Sequence, residues 1–168
     1  HRIVNNIITG ARNGYGLQLY PATTDVVVSH NTIVGNADGI VLGDEERGST
    51  HDIRITNNII AFNERTGLST YWGDGVAGTG NVATANVLFR NWGGNFDPAL
   101  RGLRRSANVI ADPKFTNRAK GDYSLAAGSA ADGRALAADA PATDYAGRAR
   151  ASTAPDVGAL ERVAAAKK

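Results

Sequence analysis

Asp44, Glu45 and Asp74 are the carboxylates whose neighbours could support chemistry. Tyr20 precedes them, Tyr71 and Trp72 stand just before Asp74, and Arg47, His51 and Arg54 follow the first acid pair. Aromatic rings stack on sugar faces and carboxylates bond hydroxyl groups, so this set fits a carbohydrate subsite. Two reactions stay open on these residues. Hydrolysis needs two carboxylates at a defined separation, which Asp44, Glu45 and Asp74 could supply from neighbouring segments. Elimination from a uronate needs a base, for which His51 and Tyr71 qualify, and a cation to neutralise the uronate. Arg47 and Arg54 fit that second role, and calcium held by Asp44 and Glu45 could share it. No metal ligand set is assigned by spacing alone.

These residues can meet only if the chain brings distant segments into register, and a repeat offers the means. Asparagine occurs fourteen times, thirteen of them before residue 109. Asn6, Asn31, Asn58, Asn86 and Asn108 each open the pattern Asn, any residue, aliphatic, at intervals of 25, 27, 28 and 22 residues. Short β-branched stretches precede the anchors, and Gly16, Gly39 and Gly67 open aliphatic stretches after three of them. A period near 25 with strands too short to stand alone predicts a solenoid of stacked rungs. Gly, Asn and β-branched residues argue against a helical solenoid.

Stacking predicts three inward columns: Ile8, Ile33, Ile60, Leu88 and Ile110; Ile3, Val28, Ile55 and Ala83; and Leu17, Ile40 and Leu68. The anchor asparagines are expected to bond their copies in the next rung and to tolerate unusual backbone angles at the turn. Asn36, Asn63 and Asn91 predict a second ladder. On this alignment Tyr20 and Tyr71 stand two rungs apart, about 9–10 Å along one edge. His30 reads as a turn residue. His51 has a structural reading too, as the residue that opens a strand.

The motifs "NNIITG", "HNTIVGNADGIVL", "NNIIAFNERTGL" and "ANVLFRN" resemble rungs of a right-handed parallel β-helix of the pectate-lyase-like type. The later pieces "DPKF", "GDYSLAAGSAA", "TDYAGRAR" and "DVGALE" resemble the closing segment of secreted bacterial β-helix proteins. The resemblance implies an all-β, right-handed parallel β-helix solenoid of about four to five rungs over 1–110. It also implies a C-terminal loop and strand cap over 111–162 and a frayed end over 163–168. Asp156–Leu160 is expected to form a last strand. By the same resemblance the protein is secreted and acts on a polysaccharide, as a lyase or a glycosidase. The Gly-His-Gly and Arg-Ile-Lys signatures of polygalacturonases are absent, and the fold also hosts adhesins and phage spikes. A non-catalytic binding module and a structural cap of a larger assembly therefore stay open beside cleavage.

Composition narrows the field further. Apolar residues make up 42% and charged residues 20% of the 168, a globular profile. There is no cysteine, which excludes disulfides and thiolate chemistry. No apolar run reaches membrane-spanning length, and no phosphate loop or zincin motif occurs. Residues 1–92 carry six Arg against eight acids, whereas 93–168 carry twelve bases against eight. Arg101, Arg104 and Arg105 cluster, but too sparsely for nucleic acid; an anionic polysaccharide suits them better. His1 falls in an apolar slot of the repeat, so further rungs upstream, or self-association through the first rung, are expected.

Overall fold

The computed structural model describes residues 1–44, 48–71 and 76–163. Its strands are mostly three to six residues long and cannot stand alone. Each pairs with its equivalent in the next coil. The first coil contains β1 (Arg2–Val4), β2 (Ile7–Thr9) and β3 (Tyr15–Leu19). The second contains β4 (Val27–Ser29), β5 (Thr32–Val34) and β6 (Asp38–Gly43). The third contains β7 (Arg54–Thr56), β8 (Ile59–Ala61) and β9 (Thr66–Tyr71). The fourth contains β10 (Val76–Thr84), β11 (Val87–Phe89) and β12 (Gly94–Phe96). β13 (Arg101–Ser106) and β14 (Val109–Ile110) carry the coil one step further.

Equivalent strands stack into three parallel sheets: β1-β4-β7-β10-β13, β2-β5-β8-β11-β14 and β3-β6-β9-β12. The third sheet thus spans three full turns, and the other two add one step. This is the parallel β-solenoid read from the repeat. The expected inward columns are in register, and Phe96 completes the third beneath Leu68. Together they form one continuous apolar core. Ile110 is a correction: it pairs with Leu88 but is 66% exposed, because no further rung covers it.

Both asparagine ladders form. The Asn31 backbone N–H and side-chain amide both donate to Asn58 Oδ1, at 2.9 and 3.0 Å. The same pair of hydrogen bonds joins Asn6 to Asn31, Asn58 to Asn86 and Asn86 to Asn108. Asn36, Asn63 and Asn91 repeat it at the next corner, where Asn95 ends the run. The unusual backbone angles lie elsewhere than expected. The left-handed residue is the one before each anchor: Asn5, His30, Asn57, Ala85 and Ala107, with φ between 52° and 58°. The anchor's side chain replaces a partner for the turn, while its predecessor bends the chain.

Glycine recurs at the third-sheet corner for a packing reason. A Cβ at Gly39 would run into the Gly67 carbonyl and lie 2.7 Å from Ile60 Cγ2; at Gly16 it would lie 2.7 Å from Ile33 Cγ2.

The segment from Ala111 onward lies along the flank of the solenoid. It contains an antiparallel pair, β15 (Phe115–Asn117) and β16 (Asp122–Leu125), and otherwise irregular chain. Leu125, Ala131, Ala135 and Val157 cover the outward apolar residues Ile59, Ala61 and Val87 of the second sheet. Asp156–Leu160 is not a strand. It crosses the sheet's face, where no edge is free to pair, and bonds through Gly158 N to Asn57 O and Ala159 N to Thr32 Oγ1. Arg150 is buried there, donating to Asn5 Oδ1, Gly158 O and Glu161 Oε2. His30 is fully buried, with Nδ1 2.7 Å from Ser29 Oγ. Burial, then the charges of Arg150 and Arg2, hold its pKa down to about 3, so it is neutral. This is the turn residue expected. From 164 on, the expected frayed end lies outside the described residues. Among the described residues no helix is long and apolar enough to cross a membrane.

Candidate functional site

A groove of about 920 Å³ lies along β10 and β13 of the first sheet, beside the loop that precedes β7. Its floor is glycine: Gly48, Gly78, Gly80 and Gly102. A Cβ at Gly78 would strike the Gly48 carbonyl, one at Gly102 the Ala77 carbonyl, and one at Gly80 the Asp52 carboxylate. Close stacking therefore demands glycine, and the result is a channel with little side chain in it. His51 and Arg104 stand on its walls.

His51 Nδ1 lies 2.8 Å from Asp52 Oδ2. Asp52 is left-handed (φ 57°), as is Asp25 (φ 54°) at the equivalent place one coil earlier. This bend turns the Asp52 side chain back onto its neighbour. A carboxylate that accepts from one imidazole nitrogen sets which nitrogen carries the proton and turns the other toward a substrate. Sequence reading singled out His51 but missed Asp52; adjacency was the available signal.

Register adds a second feature. Arg2, Val27, Arg54, Val82 and Arg104 are successive partners across the first sheet. Arginine thus alternates with valine along the axis, with charges two rungs, about 9–10 Å, apart. Val82 and Arg104 also line the groove, so stripe and groove are continuous. Arg54 was expected here; Arg2 and Arg104 were not, because valines alternate with the arginines and no single residue type recurs at this position.

The other expected residues separate. Glu45, Arg47, Trp72 and Asp74 lie outside the described residues. Asp44 Oδ1 accepts a bond from Ser49 Oγ at 3.0 Å, and Asp44 is not among the groove's lining residues. Tyr20 follows Leu19, which pairs with Leu42, and Gly43 pairs with Tyr71, so the two tyrosines occupy equivalent places two coils apart. They belong to the end of the third sheet. Among the described residues no three His, Asp or Glu converge on a metal position.

A second groove, of about 560 Å³, lies over the third sheet and holds Tyr15, Asp38, Arg65 and Asp97. Asp38 accepts from Arg65 Nε at 2.8 Å and from Thr66 N and Oγ1 at 3.0 and 2.7 Å. Burial raises its pKa, but the bonds from Arg65 and Thr66 and the Arg65 charge outweigh that and hold it below the usual carboxylate range. A carboxylate so fully bonded pins rungs together and has no capacity left for catalysis.

The family model described as a right-handed β-helix region matches residues 1–121. The chain belongs to that family, and the solenoid is right-handed. Comparison with curated proteins gives no match, and comparison with solved structures gives none.

Proposed function

We propose that this protein is a secreted, carbohydrate-active β-helix protein that binds an anionic polysaccharide along the arginine–valine stripe and cleaves it by elimination at His51. The observation that carries the reading is the continuity of Arg54, Val82 and Arg104 with the groove that His51 and Asp52 border. Guanidinium groups two rungs apart suit carboxylates on an extended chain of uronates, and the valines between them suit the apolar faces of the sugars.

With Nδ1–H donated to Asp52, His51 Nε2 is free to take the proton from the carbon next to a uronate carboxylate. The electron pair left behind forms a carbon–carbon double bond as the bond to the glycosidic oxygen breaks, and that oxygen takes a proton from water. Arg104 balances the charge that builds on the carboxylate during the step. The groove's described lining carries no carboxylate pair, so hydrolysis has less support here than elimination. Secretion rests on the likeness of the C-terminal pieces to those of secreted bacterial β-helix proteins.

The test is incubation with uronic and neutral polysaccharides, with and without calcium, following reducing ends and the ultraviolet absorbance of unsaturated products. Absorbance rising together with reducing ends is the expected result. Reducing ends alone would make the protein a hydrolase. Binding without either signal would make it an adhesin or binding module, and no affinity at all would leave a structural role.

A further inference from the structure

The turn between the second and third sheets changes character along the solenoid. In the first two coils its left-handed position is Gly10 (φ 87°) and Gly35 (φ 68°); in the next two it is Phe62 (φ 56°) and Arg90 (φ 48°). Bulky side chains are disfavoured in that conformation. Two residues further on stand Glu64 and Trp92, one rung apart, as the parallel bonds Glu64 N to Asn36 O and Trp92 N to Asn63 O show. Trp92 is 90% exposed.

Arg118, from the turn Arg118–Lys120, sits over the Phe62 ring at 4.2 Å, and Arg90 sits over Phe89 at 5.3 Å. Phe62 is itself held edge-on against Phe89, 5.5 Å between centroids. Among the described residues neither guanidinium has a carboxylate partner. Phe62, Glu64, Arg90, Trp92 and Arg118 enclose a cleft of about 540 Å³.

We propose that this cleft is a second glycan site, which holds one anionic sugar ring, a uronate or a sulfated sugar. The ring stacks on the Trp92 indole, its acid group lies between Arg90 and Arg118, and one hydroxyl donates to Glu64. An exposed indole is costly to leave in water and covers the area of about one sugar ring. Two cations against one acid select a negative ligand, and Glu64 on the rim disfavours a densely charged phosphate chain. The ligand class deepens the polysaccharide reading above and rests on it; the cleft lies at a different corner from the His51 groove.

The experiment uses the full chain carrying W72F, which leaves Trp92 as the sole indole, and H51A, which keeps the ligand uncut. Trp92 emission is followed during titration with an oligogalacturonate, a sulfated oligosaccharide, a neutral maltooligosaccharide and a single-stranded oligonucleotide. The expected result is a saturable change with at least one anionic sugar, with the neutral sugar at least about tenfold weaker. R118A and R90A should each weaken binding about tenfold while lowering the melting temperature by no more than about 4 °C, the loss of one exposed cation–π contact. No saturable change with either anionic sugar, unchanged affinity in both arginine variants, or tighter binding of the oligonucleotide would overturn the proposal. Cleavage by the unmodified chain with no response at Trp92 would refute this site and keep the groove; a response at Trp92 without cleavage would do the reverse.

Discussion

The side-chain oxygen of Asn86 accepts both the backbone N–H and the side-chain amide of Asn58, at 2.9 and 3.0 Å, inside the protein. Asn58 Nδ2 also donates to Val28 O and Thr56 O, and its own Oδ1 serves Asn31. One side chain therefore satisfies polar groups of three rungs. N58A should leave several of them unpaired in a dry corner and cost about 3 kcal/mol. N6A, at the exposed end of the same ladder, should cost less than about 1 kcal/mol. Urea denaturation of both variants measures the difference, and equal costs would refute a ladder whose strength depends on burial.

Gly39 and Gly14 form a sharper pair. A Cβ at Gly39 would run into Gly67 O and Ile60, whereas one at Gly14 meets nothing within 4 Å. G39A should cost about 3 kcal/mol or more, because the obstruction includes backbone. G14A should stay within about 0.5 kcal/mol of the parent. Melting temperatures decide this; a harmless G39A would mean that the corner can open.

How much of this could be read in the sequence depended on repetition. The ladders and the core columns were legible because each recurs at every coil. The left-handed position was not, because five rungs fill it with Asn, His, Asn, Ala and Ala, which share no chemistry. The arginine–valine stripe follows the anchors' intervals, but it was hidden because two unlike residue types alternate along it and none recurs at every coil. The flank position of the C-terminal segment was hidden for a different reason. That segment has no period, and the apolar face it covers, Ile59, Ala61 and Val87, looks in sequence like more core. Of the expected site, the structure joins His51 to the Arg54 column and leaves the tyrosine pair on another sheet.

His30 gives the fold a pH dependence. Its ordinary pKa is 6.5 and burial, with Arg150 and Arg2, holds it to about 3 in the folded chain. Between those values the unfolded chain binds a proton that the folded chain does not, so stability falls as pH drops through the window. Asp38, held below the usual range, adds to the loss at the acid end, while Asp156, raised by burial, acts in the opposite sense. From about pH 7 to about pH 4.5 the His30 contribution should amount to some 2–3 kcal/mol. H30N places the residue that Asn5 and Asn57 already supply at the equivalent turns. It should flatten the dependence of the urea midpoint on pH, and an unchanged slope would remove His30 as the cause.

At the groove, H51A should lower the elimination rate at least about a hundredfold, the usual range for losing a general base. R104A should act in the same direction and weaken binding, with an effect that shrinks at high salt as the charge is screened. Initial rates of ultraviolet absorbance at two ionic strengths test both. Full activity in H51A would move the base out of this groove.

Arg105 closes the last rung. It is the register partner of Ala83 and so stands in the inward column of Ile3, Val28, Ile55 and Ala83. Its guanidinium turns across the end of the core, 4.6 Å from the Phe96 ring centroid, and donates to Leu100 O at 3.1 Å. A charge in an inward column is a known means of stopping a parallel stack from growing, since another rung laid on it would bury the charge unpaired. R105V would continue the apolar column to the end of the stack, where Ile110 is already exposed. The variant should fold and should associate end to end, giving concentration-dependent dimers by light scattering where the parent gives none by that face. A strictly monomeric R105V would show that the exposed strand edges, not the charge, limit growth.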